Sequence, residues 1–117
     1  MITLRETKER IESDPEHWTV HLMDFVDDFR YYRNPAALAA PFGRRHERWD
    51  ALLAATAASL CEEMGMETPA WINEVPPCKE PWFVAGMDSL KAIELVESPL
   101  PFRLRKIFVL ENFLSRV

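Results

Sequence analysis

His17, His21, Asp24 and Asp28 stand at i, i+4, i+7 and i+11. On a helix that spacing sets the four side chains along one strip. Two imidazoles one turn apart can share a metal ion, and a carboxylate can complete the set. The chemistry would be that of a metal-binding protein or a metal-dependent enzyme. Zinc enzymes with this histidine spacing carry a glutamate inside the motif as general base. Here Trp18, Thr19 and Val20 fill the interval, and no acid stands among them. The same spacing also describes a solvated helix flank with favourable His–Asp pairs. We take the flank reading, with no metal and no cofactor expected, and keep the strip as the alternative.

Nucleophilic catalysis has little to build on. His17, His21 and His46 are the three histidines, and no serine sits in a glycine-flanked elbow. Cys78 precedes Lys79, whose charge could lower the thiol pKa. Cys61 falls in a helical segment and reads as a small buried apolar side chain. Two cysteines do not make a disulfide framework. Glu62 and Glu63 are neighbours on a helix, so their carboxylates diverge. No catalytic residue is assigned.

Cations occur in groups: Arg44, Arg45 and Arg48; Arg103, Arg105 and Lys106; Arg30 and Arg33. If they converge, they form an anion-binding patch, and nucleic-acid binding is the second alternative. The net charge of -5 and the lack of a helix-turn-helix or zinc motif weigh against it. The aromatics of the C-terminal half are more unusual: Trp71, Trp82, Phe83 and Phe102 lie close to prolines. Tryptophan and arginine dominate the energetics of many protein interfaces. The expected partner surface is therefore Trp82, Phe83, Phe102, Arg103 and Arg105. Core packing is the competing fate, expected for at least two of the four aromatics.

The elements that must position these groups are mainly helical. The length of 117 residues suits one domain. Only 3 glycines argue against a turn-rich sandwich and a Gly-rich phosphate loop, while 9 prolines punctuate the chain. Residues 1–65 read as a helical core and 66–117 as an irregular helical cap. Thr3 with Glu6 is a capping box for a helix over Leu4 to Glu12. Asp14-Pro15 opens a second helix that runs to Arg33. Its apolar stripe is Trp18, Leu22, Phe25, Val26, Phe29 and Tyr32. Pro35 to Gly43 connects to a third helix over Arg44 to Met64, capped by Gly65. That helix is apolar on two faces, which predicts the centre of the bundle or the seam of a homodimer.

After Gly65 the spacing predicts a short helix at Pro69 to Asn73 and a loop at Val75 to Pro81. A helix capped by Asp88 or Ser89 follows, ending at Ser98, and Pro99 and Pro101 seed a turn at Phe102 to Arg105. Ile107 to Leu110 reads as a strand, with Trp82-Phe83-Val84 as its partner in a short β-hairpin. Asn112 to Val117 reads as a final helical turn. The fold class is a small, mainly α bundle with a proline- and aromatic-rich C-terminal cap.

Pro81-Trp82-Phe83, Ser89-Leu90-Lys91-Ala92, Glu97-Ser98-Pro99, Phe102-Arg103 and Ile107-Phe108-Val109 together resemble a tail found in a family of uncharacterised bacterial proteins. Similar tails follow a DNA-binding helix-turn-helix region or accompany nucleotidyltransferase-type genes in toxin–antitoxin-like pairs. The resemblance covers the last third of the chain and carries over no catalytic residue. The first 65 residues lack a clear helix-turn-helix, so what it implies is a protein partner.

The sequence therefore predicts a noncatalytic interaction or regulatory protein, extending to the partner component of a toxin–antitoxin-like pair. The partner is another protein or a second copy. No apolar run approaches the roughly 20 residues of a membrane span, and Met1 to Glu12 offers no apolar signal segment. Cytoplasmic residence is the resulting expectation.

Overall fold

In the computed structural model, which describes residues 1–115, the fold starts at Thr3. Its Oγ1 accepts a hydrogen bond from the Glu6 backbone N–H at 3.1 Å, capping α1 (Leu4–Ser13). Only this half of the expected box is made, because the Glu6 carboxylate turns toward Arg10 at 3.8 Å. Leu4, Thr7, Lys8 and Ile11 form the buried stripe of α1, spaced for one helix face.

The second helix starts later than its aspartate and proline suggest. Pro15–His17 is a 3-10 turn, and α2 proper is Trp18–Tyr32. Leu22, Phe25, Val26 and Phe29 are its buried face. Arg33 ends it in the left-handed conformation (φ 51°), and the Asn34 side chain then caps a 3-10 turn at Pro35–Leu38.

α3 spans Glu47–Met64, three residues shorter at its start than expected. His46 is extended and serves as N-cap, so Arg44 and Arg45 lie outside the helix. Every residue from Asp50 to Ala57 is buried, and α1, α4 and α6 all pack against it. The two-faced apolar pattern thus makes α3 the central helix of the bundle. Gly65 closes it at φ 66°, with the Met66 N–H donating to the Cys61 carbonyl at 2.8 Å and the Gly65 N–H to that of Glu62. This is the six-to-one closure that glycine permits without a Cβ penalty.

Short elements complete the fold: α4 (Ala70–Asn73), β1 (Trp82–Phe83), α5 (Lys91–Glu97), α6 (Leu100–Arg103) and β2 (Ile107–Phe108). The expected strand pair is present, with Trp82 opposite Ile107 and Phe83 opposite Phe108, but it runs parallel. It is therefore no hairpin. The intervening segment carries α5 and α6 across before β2 begins, and a crossover of that kind returns the chain in the same direction. Phe83 and Phe108 stack at 5.1 Å beside each other. After β2, N–H groups of Phe113 and Ser115 close turns on Leu110 and Asn112; the remainder of the expected final turn, Arg116 and Val117, lies outside the described residues.

Ile72, Phe102, Ile107 and Val109 from the C-terminal half join the same buried apolar cluster as the three long helices. Loop aromatics lock the halves together. The Trp71 indole N–H donates to the Leu38 carbonyl at 2.9 Å, and its ring meets Phe42 edge-on at 5.1 Å.

Candidate interaction surface

α5 is inside out. Its sequence Lys-Ala-Ile-Glu-Leu-Val-Glu suggests an apolar inner face, yet Glu94 is fully buried. Ile93, Leu95 and Val96 are 46%, 47% and 75% exposed, and Leu100 and Leu104 follow at 62% and 65%. Two polar side chains one turn apart, Glu94 and Ser98, hold the helix to the body. Glu94 Oε2 accepts from the Ala85 N–H at 3.3 Å. The Ser98 hydroxyl accepts from the Val109 N–H at 2.8 Å and reaches the Glu94 and Val109 carbonyls. With those anchors fixed, the 3.6-residue period turns the aliphatic positions outward.

Leu100 and Leu104 stand at a groove of about 300 Å³ between α3, α4 and α6. Ala58, Met66, Leu100 and Leu104 line it, with Glu62 among its walls. Carboxylates border the face: Glu62 in the groove and Glu97 beside Val96. Large exposed aliphatic patches on a small domain mark interaction sites, whereas single exposed apolar residues do not.

The residues expected to make the partner surface are divided by the fold. Phe102 is completely buried and packs edge-on to Phe113 at 5.7 Å. Arg105 is buried as well, donating to the carbonyls of Pro101 at 3.2 Å and Ile72 at 3.1 Å. Both lie inside the fold, where an aromatic fills a gap and a guanidinium satisfies otherwise orphaned carbonyls. Arg103 is exposed, but its guanidinium caps α5 by donating to the carbonyls of Leu95 and Val96 at 3.0 and 2.6 Å. It thereby sets the edge of the aliphatic face. Phe83 is half-buried under Lys91, whose ammonium lies 5.3 Å from the ring centre. Trp82 is half-buried in a triangle with Trp18 and Trp49, with centroids 5.6 to 6.0 Å apart, and Arg48 lies over its ring at 5.4 Å.

The histidine strip is also rearranged. His17 lies ahead of α2, in the 3-10 turn. Both imidazoles turn to Asp14: His17 Nδ1 and His21 Nε2 each lie 3.0 Å from one of its carboxylate oxygens. These contacts hold the Asp14 carboxyl below its ordinary value. Asp28 accepts the Ile2 N–H at 2.6 Å, tying down the N-terminus. The two histidines therefore meet on Asp14, and no group of three or more His, Cys, Asp or Glu is placed for a metal among the described residues.

The arginine groups do not form one patch. Arg30 makes a two-pronged contact with Glu63 at 2.9 and 3.0 Å and donates to the Leu114 carbonyl. Arg44 faces Glu74 at 3.9 Å. Lys106 reaches the Lys79 carbonyl, and Arg105 is internal. Cys78 is buried too, so burial raises its thiol pKa and the Glu47 carboxylate adds to the rise. The neighbouring Lys79 does not make it a nucleophile. Among the described residues no helix is long and apolar enough to cross a membrane.

Sequence reasoning missed the aliphatic face. Its signal was present as Ile93, Val96, Leu100 and Leu104, spaced like one helix stripe across the break at Pro99. No protein-family model, curated protein or solved structure matches this chain.

Proposed function

We propose that this chain is a noncatalytic interaction protein that docks a protein partner on the aliphatic face of α5 and α6. One observation carries the reading: Glu94 is inside and Ile93, Leu95, Val96, Leu100 and Leu104 are outside. Burying a large aliphatic side chain is worth about 1.5–3 kcal/mol, so an arrangement that leaves five of them wet while burying a carboxyl group is favourable when something else covers them. The bordering Glu62 and Glu97, and the net charge of -5, fit a partner with an apolar ridge flanked by basic residues. The resemblance of the C-terminal third to tails in toxin–antitoxin-like pairs supports a separate protein as occupant.

The test compares the wild-type chain with a Val96→Glu/Leu100→Glu variant and a control altered at Tyr31, which is 80% exposed on α2. Proteins recovered from the native host are ranked by loss in the double variant alone. The top candidate is then purified and titrated against all three. Binding at least tenfold weaker for the double variant, with the control unchanged, supports the reading. Equal binding by all three excludes this face. A wild-type chain that dimerises in light scattering, and a double variant that does not, reassigns the face to self-association.

A further inference from the structure

Glu94 poses a second question that its anchoring role does not answer. Its Oε2 is held by the Ala85 N–H, but Oε1 is buried without a hydrogen-bond partner. A carboxyl oxygen removed from water and left unpaired is costly, and such groups in folded proteins ordinarily have a donor. Glu94 also lines a cleft of about 320 Å³, within the range of small-molecule sites. Trp18, Val84, Leu110 and Phe113 supply most of its apolar wall, and Ala85 borders it beside Glu94. Glu94, one of whose oxygens lacks a donor, thus stands at the edge of a cleft with an apolar, partly aromatic lining.

We propose that this cleft binds a small organic cation, a primary ammonium on an apolar body. The ammonium donates to Glu94 Oε1, and the body packs against the aromatic lining. An ammonium brings three donors and no acceptor, which suits an oxygen that has no donor of its own. Trp18 and Phe113, whose rings lie 6.3 Å apart, give the apolar body an aromatic wall. A neutral molecule of the same shape would fill the walls with fewer donors for Oε1, and an anion would bring an acceptor where a donor is lacking. The site is separate from the outer face of α5, so its occupancy does not depend on the partner reading.

Titration of the full chain with phenethylamine, 2-phenylethanol and 3-phenylpropionate, followed by the indole and methyl signals in NMR, tests the assignment. The amine should bind roughly tenfold or more tighter than the alcohol, the factor for one charge-assisted hydrogen bond. Its largest shifts should fall on Trp18, Val84 and Leu110, and the propionate should not bind. Glu94→Gln should erase the preference of amine over alcohol. Should that variant unfold, Leu110→Trp blocks the cleft with Glu94 intact and should remove amine binding. A capped lysine, N-acetyl-lysine-N-methylamide, separates the two sources of this head group: tighter binding than phenethylamine assigns the cleft to a protein side chain, weaker binding to a free amine. Equal affinity for amine and alcohol, absence of amine binding, or shifts confined to other surfaces overturns the proposal.

Discussion

Lys8 of α1 meets Asp50 of α3 at 2.6 Å inside the core, with side chains only 2% and 7% exposed. The Lys8 ammonium also donates to the Gly43 carbonyl and lies 4.8 Å from the centre of the Phe42 ring. One cation therefore joins α1, the connector before α3, and α3 itself. The pair is expensive to break from one side, because the remaining charge stays buried.

Lys8→Met and Asp50→Leu should each lower stability by about 3–5 kcal/mol, and the double substitution should restore much of that loss. Urea unfolding of the three variants measures it. Additive losses in the double variant would show that the two side chains act independently.

Arg105 should behave as a structural residue. Arg105→Ala leaves the carbonyls of Pro101 and Ile72 without their donors and should cost about 3 kcal/mol. Arg105→Lys should recover little, since one ammonium cannot reproduce the planar fork. Arg103→Ala removes only exposed contacts to Leu95 and Val96 and should cost about 1 kcal/mol. Denaturation midpoints of the three variants separate the internal arginine from the external one.

The His17–Asp14–His21 contact predicts an acid-limb effect. Asp14 is held below its ordinary value of 3.8, chiefly by the hydrogen bonds from His17 and then His21. A carboxyl depressed in the native state contributes stability that is fully present above its unfolded value. That contribution is lost as pH falls through the depressed native value. Carboxyl NMR titration should show Asp14 moving back toward 3.8 in a His17→Gln/His21→Gln variant. An unchanged Asp14 titration would rule out the histidines as the cause.

Cys61 and Cys78 are both buried, and burial raises both thiols. Neither should react with a thiol reagent in the native protein at neutral pH, and both should react on unfolding. Rapid native labelling of Cys78 would contradict its burial.

The outward face of α5 and α6 predicts tolerance. Val96→Lys and Leu100→Lys should each change stability by less than about 0.5 kcal/mol, as surface substitutions do. The same change at Leu60, fully buried on α3, should abolish folding. Thermal unfolding of the three proteins makes the comparison.

The sequence by itself determined the helical half. Leu22, Phe25, Val26 and Phe29 announce the buried face of α2 by their period, and Gly65 announces the end of α3 by its backbone freedom. These signals are local: a period, a cap and a left-handed residue act within a few positions. The α5 stripe was equally readable as a stripe, but its direction was not. Whether Ile93 or Glu94 faces the body depends on the Ala85 N–H and on Val109, which neighbour α5 only after the chain has folded. The same holds for Lys8 and Asp50, separated by all of α2 and the connector after it, and for the turn of both histidines to Asp14. Residue type and spacing fixed which groups can pair, and tertiary structure decided which of them do, because burial and hydrogen-bond satisfaction are properties of the assembled neighbourhood.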